Sequence, residues 1–455
     1  MSAVLKKNGH SVDVFVEGLH KDIIKDICDA KPDIIGFTCI TGEHRWVEKR
    51  ATQIKKHLNV PIIVGGPHPT YFPEMVEMEN IDIVCRGEGE GAILELIDKM
   101  QNGQEINNIL GLWVKQNNKI YKNNVASLVE DLDSLPLADR GIYDKYEFFR
   151  KEKELPIAFS RGCPYSCSFC YNAAKRKLYA GQKVVRIRSV DNVISEIKLL
   201  LQEHPHFKSI LFYDDNIGLL PKWFDEFCEK YAKVNGPSFV VSVRADFMNE
   251  DRAKKLKKAN CFSISMGVES GDHEMREKIL NKHIPDEDYI QASRFLRENG
   301  IKVRTSNILF LPGETIDQAF KTLLLNKKMK VDFAWVYTLQ PYPGTEIYHY
   351  AVKNGFLDKN FSFDQIDPLG VLESPVITNP KDRNKIKVLQ KLFYYGVKIP
   401  GFDHLMKLLV YIPDNFVFDL FHRFSILINY IAFHQFKVFR FLKMALDTQK
   451  ATERG

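Results

Sequence analysis

SRGCPYSCSFCYN, residues 160–172, places Cys163, Cys167 and Cys170 at spacings of four and three, directly after the short apolar run PIAFS (156–160). A loop this short can wrap one face of an iron–sulfur cubane, with one thiolate on each of three irons. The fourth iron then has no protein ligand. An open metal position is what lets a further molecule coordinate. Zinc sites prefer paired Cys-x-x-Cys modules and four ligands. Here no second pair follows, and the next residues are Tyr171, Asn172 and Ala173. Ferredoxin-type clusters ask for a fourth cysteine, and none is near. The spacing therefore predicts a four-iron, four-sulfur cluster on Cys163, Cys167 and Cys170 as metal ligands. A zinc site and three incidental core cysteines are the competing readings.

The other five cysteines, Cys28, Cys39, Cys85, Cys228 and Cys261, are scattered through apolar or helical stretches. A disulfide framework would need pairing in a small secreted chain. These read instead as small core residues in a reducing compartment. No signal peptide is seen at the N-terminus, and the expected location is cytoplasmic. At 455 residues and 45% hydrophobic composition, the chain has room for two or three domains and a sizeable core. A net charge of +6 over that length argues against a nucleic-acid binder and leaves anionic substrates open.

Outward from the cysteine loop, the chain alternates strand and helix. Toward the C-terminus, SILFYD (209–214), FVVSVR (239–244), FSISMGV (262–268), VRTSNILF (303–310) and FAWVYTL (333–339) join PIAFS as six candidate strands, with helical segments between them. Six βα units predict a partial (βα)6 TIM-type barrel over 155–350, with its site at the carboxyl ends of the strands. Asp214, Asp215 and Asn216, Arg244, Glu269 in GVESG, and Pro312-Gly313-Glu314 fall at such ends. Toward the N-terminus, SVDVFV (11–16), DIIGFTC (33–39), PIIVGG (61–66) and IDIVCRG (81–87) alternate with helical patterns. They predict an open, Rossmann-like α/β domain over 1–105. Residues 106–154, with Asn and Lys at 116–124 and DLDSLPLADR (131–140), read as a linker carrying one small hairpin. Residues 351–455 read as a helical extension.

Cys-x3-Cys-x2-Cys with an aromatic before the last cysteine resembles the radical S-adenosylmethionine (SAM) superfamily. GFTCITG (36–42), GGPHPT (65–70) and RGEGE (86–90) at three successive strand ends resemble its cobalamin-binding subclass, which includes methyltransferases and the anaerobic Mg-protoporphyrin ester cyclase type. The resemblance covers residues 1 to about 350. It implies that SAM chelates the open iron and is cleaved reductively to a 5′-deoxyadenosyl radical, which attacks an organic substrate. It places Phe169 beside the adenine, Asp214, Asp215 and Asn216 at the methionine amino group, and Glu269 and the backbone at 309–311 at ribose and adenine. Arg244 is a further candidate for SAM contact. For cobalamin it implies Thr38, Thr41, Gly42, Gly65, Gly66, His68, Gly87 and Glu88. The Asp-x-His-x-x-Gly signature is absent, which predicts no lower axial histidine. A typical member also has a further strand and loop ahead of LKKNGHSVDV (5–14), so this domain reads as lacking its first strand. The implied reaction is methylation of an unactivated carbon, with radical cyclisation as the alternative and a non-catalytic iron–sulfur carrier or sensor as the rival of another class. The implied partners are a small-molecule or lipidic substrate and a reductant such as flavodoxin or ferredoxin.

Plainer roles compete for several of these residues. Asp214 and Asp215 can cap a helix, Arg244 can pair with a structural carboxylate, Glu269 can support a helix start, and the first domain can bind nothing. The 403–445 segment sets Lys407, His422, Arg423, Lys437, Arg440 and Lys443 beside Leu, Ile and Phe. Such a helix packs on a barrel or lies on an anionic membrane. Its longest apolar stretch, about ten residues, is too short to span a bilayer.

Overall fold

The computed structural model describes residues 1–342, 344–358, 360–367, 370 and 374–433. It divides into two compact units. One comprises Met1–Lys151, Ala174–Arg186 and residues 362–367. The other comprises Glu152–Ala173, Ile187–Phe361 and the described residues from 370 on.

The first unit is built on β1 (Ile35–Thr38), β2 (Ile62–Gly65) and β3 (Ile83–Cys85), which are parallel and lie side by side in chain order. Apolar runs here feed two separate cores. Ile62 and Val64 pack with Val47, Ala51 and Ile54 of the helix His44–Lys55. Ile63 and Ile83 pack with Ala92, Ile93 and Leu96 of the helix Glu90–Gln101. A parallel sheet whose strands are apolar on both faces is covered on both.

Two elements differ from the sequence reading. SVDVFV has strand composition but joins no ladder. The Tyr146 hydroxyl takes its backbone instead, accepting from Val16 N at 3.2 Å and donating to Val14 O at 2.7 Å. The segment 106–154 is more than a linker. β4 (Leu112–Gln116) and β5 (Lys119–Lys122) form an antiparallel hairpin that extends the sheet past β3. Its two-residue turn, Asn117-Asn118, has both residues at positive φ, the conformation a tight hairpin needs. Leu112, Trp113 and Val114 are buried, which is why the hairpin docks on the sheet.

In the second unit the strands are β6 (Glu154–Ile157), the short β7 (Ser160–Arg161) and β8 (Arg186–Ile187), β9 (Ser209–Phe212), β10 (Ser238–Val243), β11 (Cys261–Glu269), β12 (Lys302–Leu309) and β13 (Phe333–Thr338). β6 and β9 to β13 form one all-parallel sheet in which each strand lies beside its predecessor. That is the strand order of a (βα)6 arrangement, and all six candidate strands are in it. The intervening helices bury one face of the sheet. On that face Phe159, Phe212, Trp223, Phe227, Tyr231 and Phe239 form a continuous aromatic layer, with Trp223 and Phe227 stacked 5.2 Å apart.

The C-terminal helices belong to this core. Ile386, Val388, Leu389, Leu392 and Phe393 of the helix Arg383–Lys398 are fully buried in it, with Met406 and Phe418 from the two helices that follow. Gly396 permits the contact, because a Cβ there would lie 2.4 Å from Met406 Sδ and 2.7 Å from Leu323. Leu408, Tyr411, Phe416 and Phe424 remain exposed. Among the described residues no helix is long and apolar enough to cross a membrane. Lys437, Arg440 and Lys443 lie outside the described residues.

Candidate functional site

The cysteine loop leaves the sheet just after β6. Its three thiols are free and half-buried. Burial pushes all three above the ordinary thiol range, Cys170 to about 11. Sulfurs in such surroundings need donors or cations to become thiolates, and the loop and the strand ends around it supply both. Asn172 points its backbone N and its Nδ2 at Cys170 Sγ, at 3.5 and 3.6 Å. Tyr165 N donates to Cys163, and Lys282 and Arg244 both favour the Cys167 thiolate. Among the described residues no three His, Cys, Asp or Glu side chains converge on a single ion. The three thiols come from one loop after a strand, an arrangement that fits a cluster taking one thiolate per iron.

The loop is gripped from the far side of the sheet end. Residues Met275–Ile279 form a π-helical turn after β11, an irregularity frequent at functional sites. Ser168 N donates to Leu280 O at 2.9 Å and Ser168 Oγ to Ile279 O at 2.5 Å, while Asn281 Nδ2 donates to Ser166 O at 2.8 Å. Phe169 packs, half-buried, on the apolar cluster that contains Leu280, Ile308, Leu311 and Ile347. Arg244 lays its guanidinium 3.5 Å from the Tyr165 ring centre and pairs in fork geometry with Asp246. Its structural role is thus explicit, as a brace for the loop.

The three residues after β9 separate in role. Asp214 is buried and does not cap the next turn. Its carboxylate accepts from Phe159 N, Ser160 N and Ser160 Oγ, tying the exit of β6 to β9, and burial lifts its pKa to about 6. Asp215 is exposed and accepts from Asn172 Nδ2 at 2.9 Å, next to the cysteines. Asn216 makes the cap, its Oδ1 accepting from Gly218 N and Arg244 N. Its Nδ2 is buried without a partner in the chain. A buried amide nitrogen with no partner in the chain is rare, and this one fits a site that takes a ligand acceptor.

Strain marks the next two strand ends. Glu269 has φ +66°, at a bulge where β11 slips against β12, and Phe310 has φ +63° just past β12. Non-glycine residues in this conformation cost about 1–3 kcal/mol and cluster at functional sites. Glu269 pairs with the buried Lys282 at 3.0 Å. Glu314 turns back under Phe310, its Oε2 accepting from Leu311 N, and burial raises its pKa to about 8.

In the first unit, Thr38, Thr41, Gly42, Gly65, Gly66 and His68 meet at the carboxyl ends of β1 and β2. Gly66 has φ +105°, and a Cβ on it would lie 2.8 Å from Cys39 O and 3.0 Å from Thr38 Oγ1. His68 Nδ1 is 3.1 Å from Thr41 Oγ1, and the ring stacks on His44 at 4.7 Å. Burial, with His44 alongside, lowers His68 to about 4, so it is neutral at ordinary pH. The glycines and hydroxyls here fit the amide-fringed edge of a corrin, with His44 alongside paired to Asp364 at 2.8 Å and Phe363 packed edge-on against His68. Gly87 joins this group through the Thr70 hydroxyl, which accepts from Gly87 N at 3.0 Å and donates to Gly66 O at 2.8 Å, whereas Glu88 turns away to a basic cluster. A Cβ on Gly87 would fall 1.6 Å from the Tyr179 hydroxyl. Glu88 is committed to Arg186 at 2.5 and 2.8 Å and to Lys175 at 3.5 Å. Tyr179, Arg186, His44 and Lys282 carry no motif in the sequence. Each matters through a partner remote in the chain, so only the fold reveals it.

Residues 157–325 match the model of the Radical SAM superfamily, and residues 1–97 match that of the B12 binding domain. The chain is 32% identical over 371 residues to an uncharacterized methyltransferase of Pyrococcus horikoshii, covering 78% of each. It belongs to the radical SAM superfamily, among the members with a B12 binding domain. The family implies a [4Fe–4S] cluster, SAM and cobalamin as its cofactors. Similarity extends at 29% identity over 367 residues to an anaerobic magnesium-protoporphyrin IX monomethyl ester cyclase of Rubrivivax gelatinosus, covering 76% of this chain and 64% of that one. The fold is shared with the radical SAM methyltransferase TsrM of Kitasatospora setae, with a TM-score of 0.66 at 17% identity over 82% of this chain and 76% of that one.

Proposed function

We propose that this radical SAM protein methylates an unactivated carbon of a small organic substrate with the help of cobalamin. The observation that carries the proposal is the loop of three free, half-buried thiols at the carboxyl end of a parallel sheet, in a chain that also has a B12 binding domain. When bound, the cluster with SAM supplies radical chemistry and cobalamin supplies the methyl-carrying centre. Cys163, Cys167 and Cys170 hold the cluster. Asn216 Nδ2, Asp215 and Glu269 face SAM, and Phe169 lies against its adenine. Thr38, Thr41, Gly42, Gly65, Gly66 and His68 receive the corrin, whereas Glu88 keeps its unit folded. Substrate meets the sheet face opposite the one that the intervening helices bury. Arg304, Ser306, Trp335 and Tyr337 lie partly open there, with Trp335 and Tyr337 forming an aromatic wall 6.2 Å between centres. A flavodoxin- or ferredoxin-type protein delivers the electron, and the exposed Leu408, Tyr411, Phe416 and Phe424 would carry any peripheral membrane contact.

The second reading is oxidative ring closure of the cyclase type, favoured by the Rubrivivax gelatinosus relative. The test is anaerobic reconstitution with iron, sulfide and cobalamin, then reduction with SAM present. Formation of 5′-deoxyadenosine by the wild type and its loss, with the brown cluster absorbance, in Cys167→Ala is the expected result. A cluster-loaded wild type that leaves SAM intact would sink the proposal. Product mass separates methylation from cyclisation.

A further inference from the structure

Lys282 is a buried lysine whose surroundings are built for it. Its Nζ donates to Gly267 O at 2.5 Å and to Glu269 Oε1 at 3.0 Å. Room for both side chains exists because residue 267 is glycine. A Cβ there would lie 2.8 Å from Lys282 Nζ and 2.2 Å from Glu269 Oε1. Its backbone is equally fixed. Lys282 N donates to Arg276 O, and the fully buried Arg276 guanidinium donates to Ser270 O, Ile284 O and Asp286. The residues just before it, Ile279 to Asn281, are those that grip the cysteine loop. One turn therefore sets both the loop and the ammonium.

The ammonium keeps its charge. Burial works against it, but Glu269, Tyr289 and Cys167 together hold its pKa above the ordinary lysine range. The turn that carries Lys282 also brackets Cys167, since Asn281 Nδ2 donates to Ser166 O on one side of it and Ser168 N donates to Leu280 O on the other. A cation beside one ligand of a cluster stabilises the reduced, more negative state, and cluster potentials follow such local charge. A unit charge about 10 Å away at an effective dielectric of about 20 changes the reduced-to-oxidised ratio by about tenfold.

We infer that Lys282 is a positioning residue with two tasks, fixing the Glu269 carboxylate for the SAM ribose and raising the reduction potential of the cluster held by Cys167. The inference rests on the reading of Cys163, Cys167 and Cys170 as cluster ligands. A purely structural ion pair would leave the potential alone, so the potential is the readout.

The experiment compares the full chain, reconstituted anaerobically, as wild type, Lys282→Arg, Lys282→Gln and Glu269→Gln. Cluster content is read from absorbance, midpoint potential from an EPR-monitored redox titration, and SAM affinity by equilibrium binding. Lys282→Gln should hold its cluster, have a more negative midpoint with about a tenfold lower reduced-to-oxidised ratio at the wild-type midpoint, and bind SAM more weakly. Lys282→Arg should restore the potential. Glu269→Gln should also bind SAM more weakly but move the potential the other way, because it leaves the lysine charge unopposed. An unshifted potential in Lys282→Gln, or shifts of the same sign in Lys282→Gln and Glu269→Gln, overturns the inference. If Lys282→Gln yields no folded protein, an unshifted Glu269→Gln overturns it alone. A wild type that takes up no cluster refutes the underlying ligand reading instead.

Discussion

Glu314→Gln should stabilise the protein, and increasingly so as pH rises. Glu314 is fully buried beneath the strained Phe310 turn. One carboxyl oxygen accepts from Leu311 N, and the other is buried without a partner. Desolvation raises its pKa from the 4.5 of an ordinary glutamate to about 8. Between those values the folded chain holds a proton that the unfolded chain has released, so stability falls as pH climbs through that window. A tenfold change in proton affinity between the two states is worth about 1.4 kcal/mol. The full loss is therefore about 5 kcal/mol above pH 8 and about 3 kcal/mol at pH 7. Glutamine is nearly isosteric and keeps an acceptor for Leu311 N without titrating. Urea unfolding of both proteins, without cofactors, from about pH 5 to about pH 9 gives the comparison, since subtraction cancels every other titration. The difference should grow by about 1.4 kcal/mol per pH unit between about 5 and 8 and then level off. A difference independent of pH would refute the reasoning, because Glu314 would then not be the buried neutral acid described.

Glu88→Ala should destabilise the first unit by about 3–5 kcal/mol in urea unfolding, because it strands the charge of Arg186, whose side chain is 1% exposed. Weakened cobalamin uptake at unchanged stability would instead make Glu88 a ligand. Gly66→Ala forces a Cβ toward Cys39 O at φ +105°, at a cost of about 1–3 kcal/mol. Protein expressed with cobalamin supplied should lose its corrin absorbance, and an unchanged visible spectrum would count against the assignment of these strand ends.

What the sequence disclosed depended on the range of the interaction. The cysteine loop is legible because its chemistry is confined to eight residues. The six strands of the second unit's main sheet are legible because each is a short apolar or aromatic run bounded by helical periodicity. SVDVFV misled for the same reason, since composition reports strand tendency but not whether a neighbour is available to pair. The hairpin at 112–122 was visible, yet its docking on β3 was not, because the burial of Trp113 depends on a surface made by other segments. Residues 174–186 follow the cysteine loop immediately in sequence but pack with the first unit through Tyr179 and Arg186. Lys282 was missed altogether. A lone lysine after a helical turn is ordinarily a solvated residue, and only the space left by Gly267 shows otherwise.

The turn that grips the cysteine loop has a consequence for assembly. Classical zinc fingers fold only when metal arrives, so for them binding and folding are one event. Here Ser166 and Ser168 are held by Ile279, Leu280 and Asn281 through protein bonds alone. None of these bonds uses a cysteine side chain, so the hold on the loop has a part that the thiolates do not supply, and replacing Cys163, Cys167 or Cys170 by alanine deletes no bond of that hold.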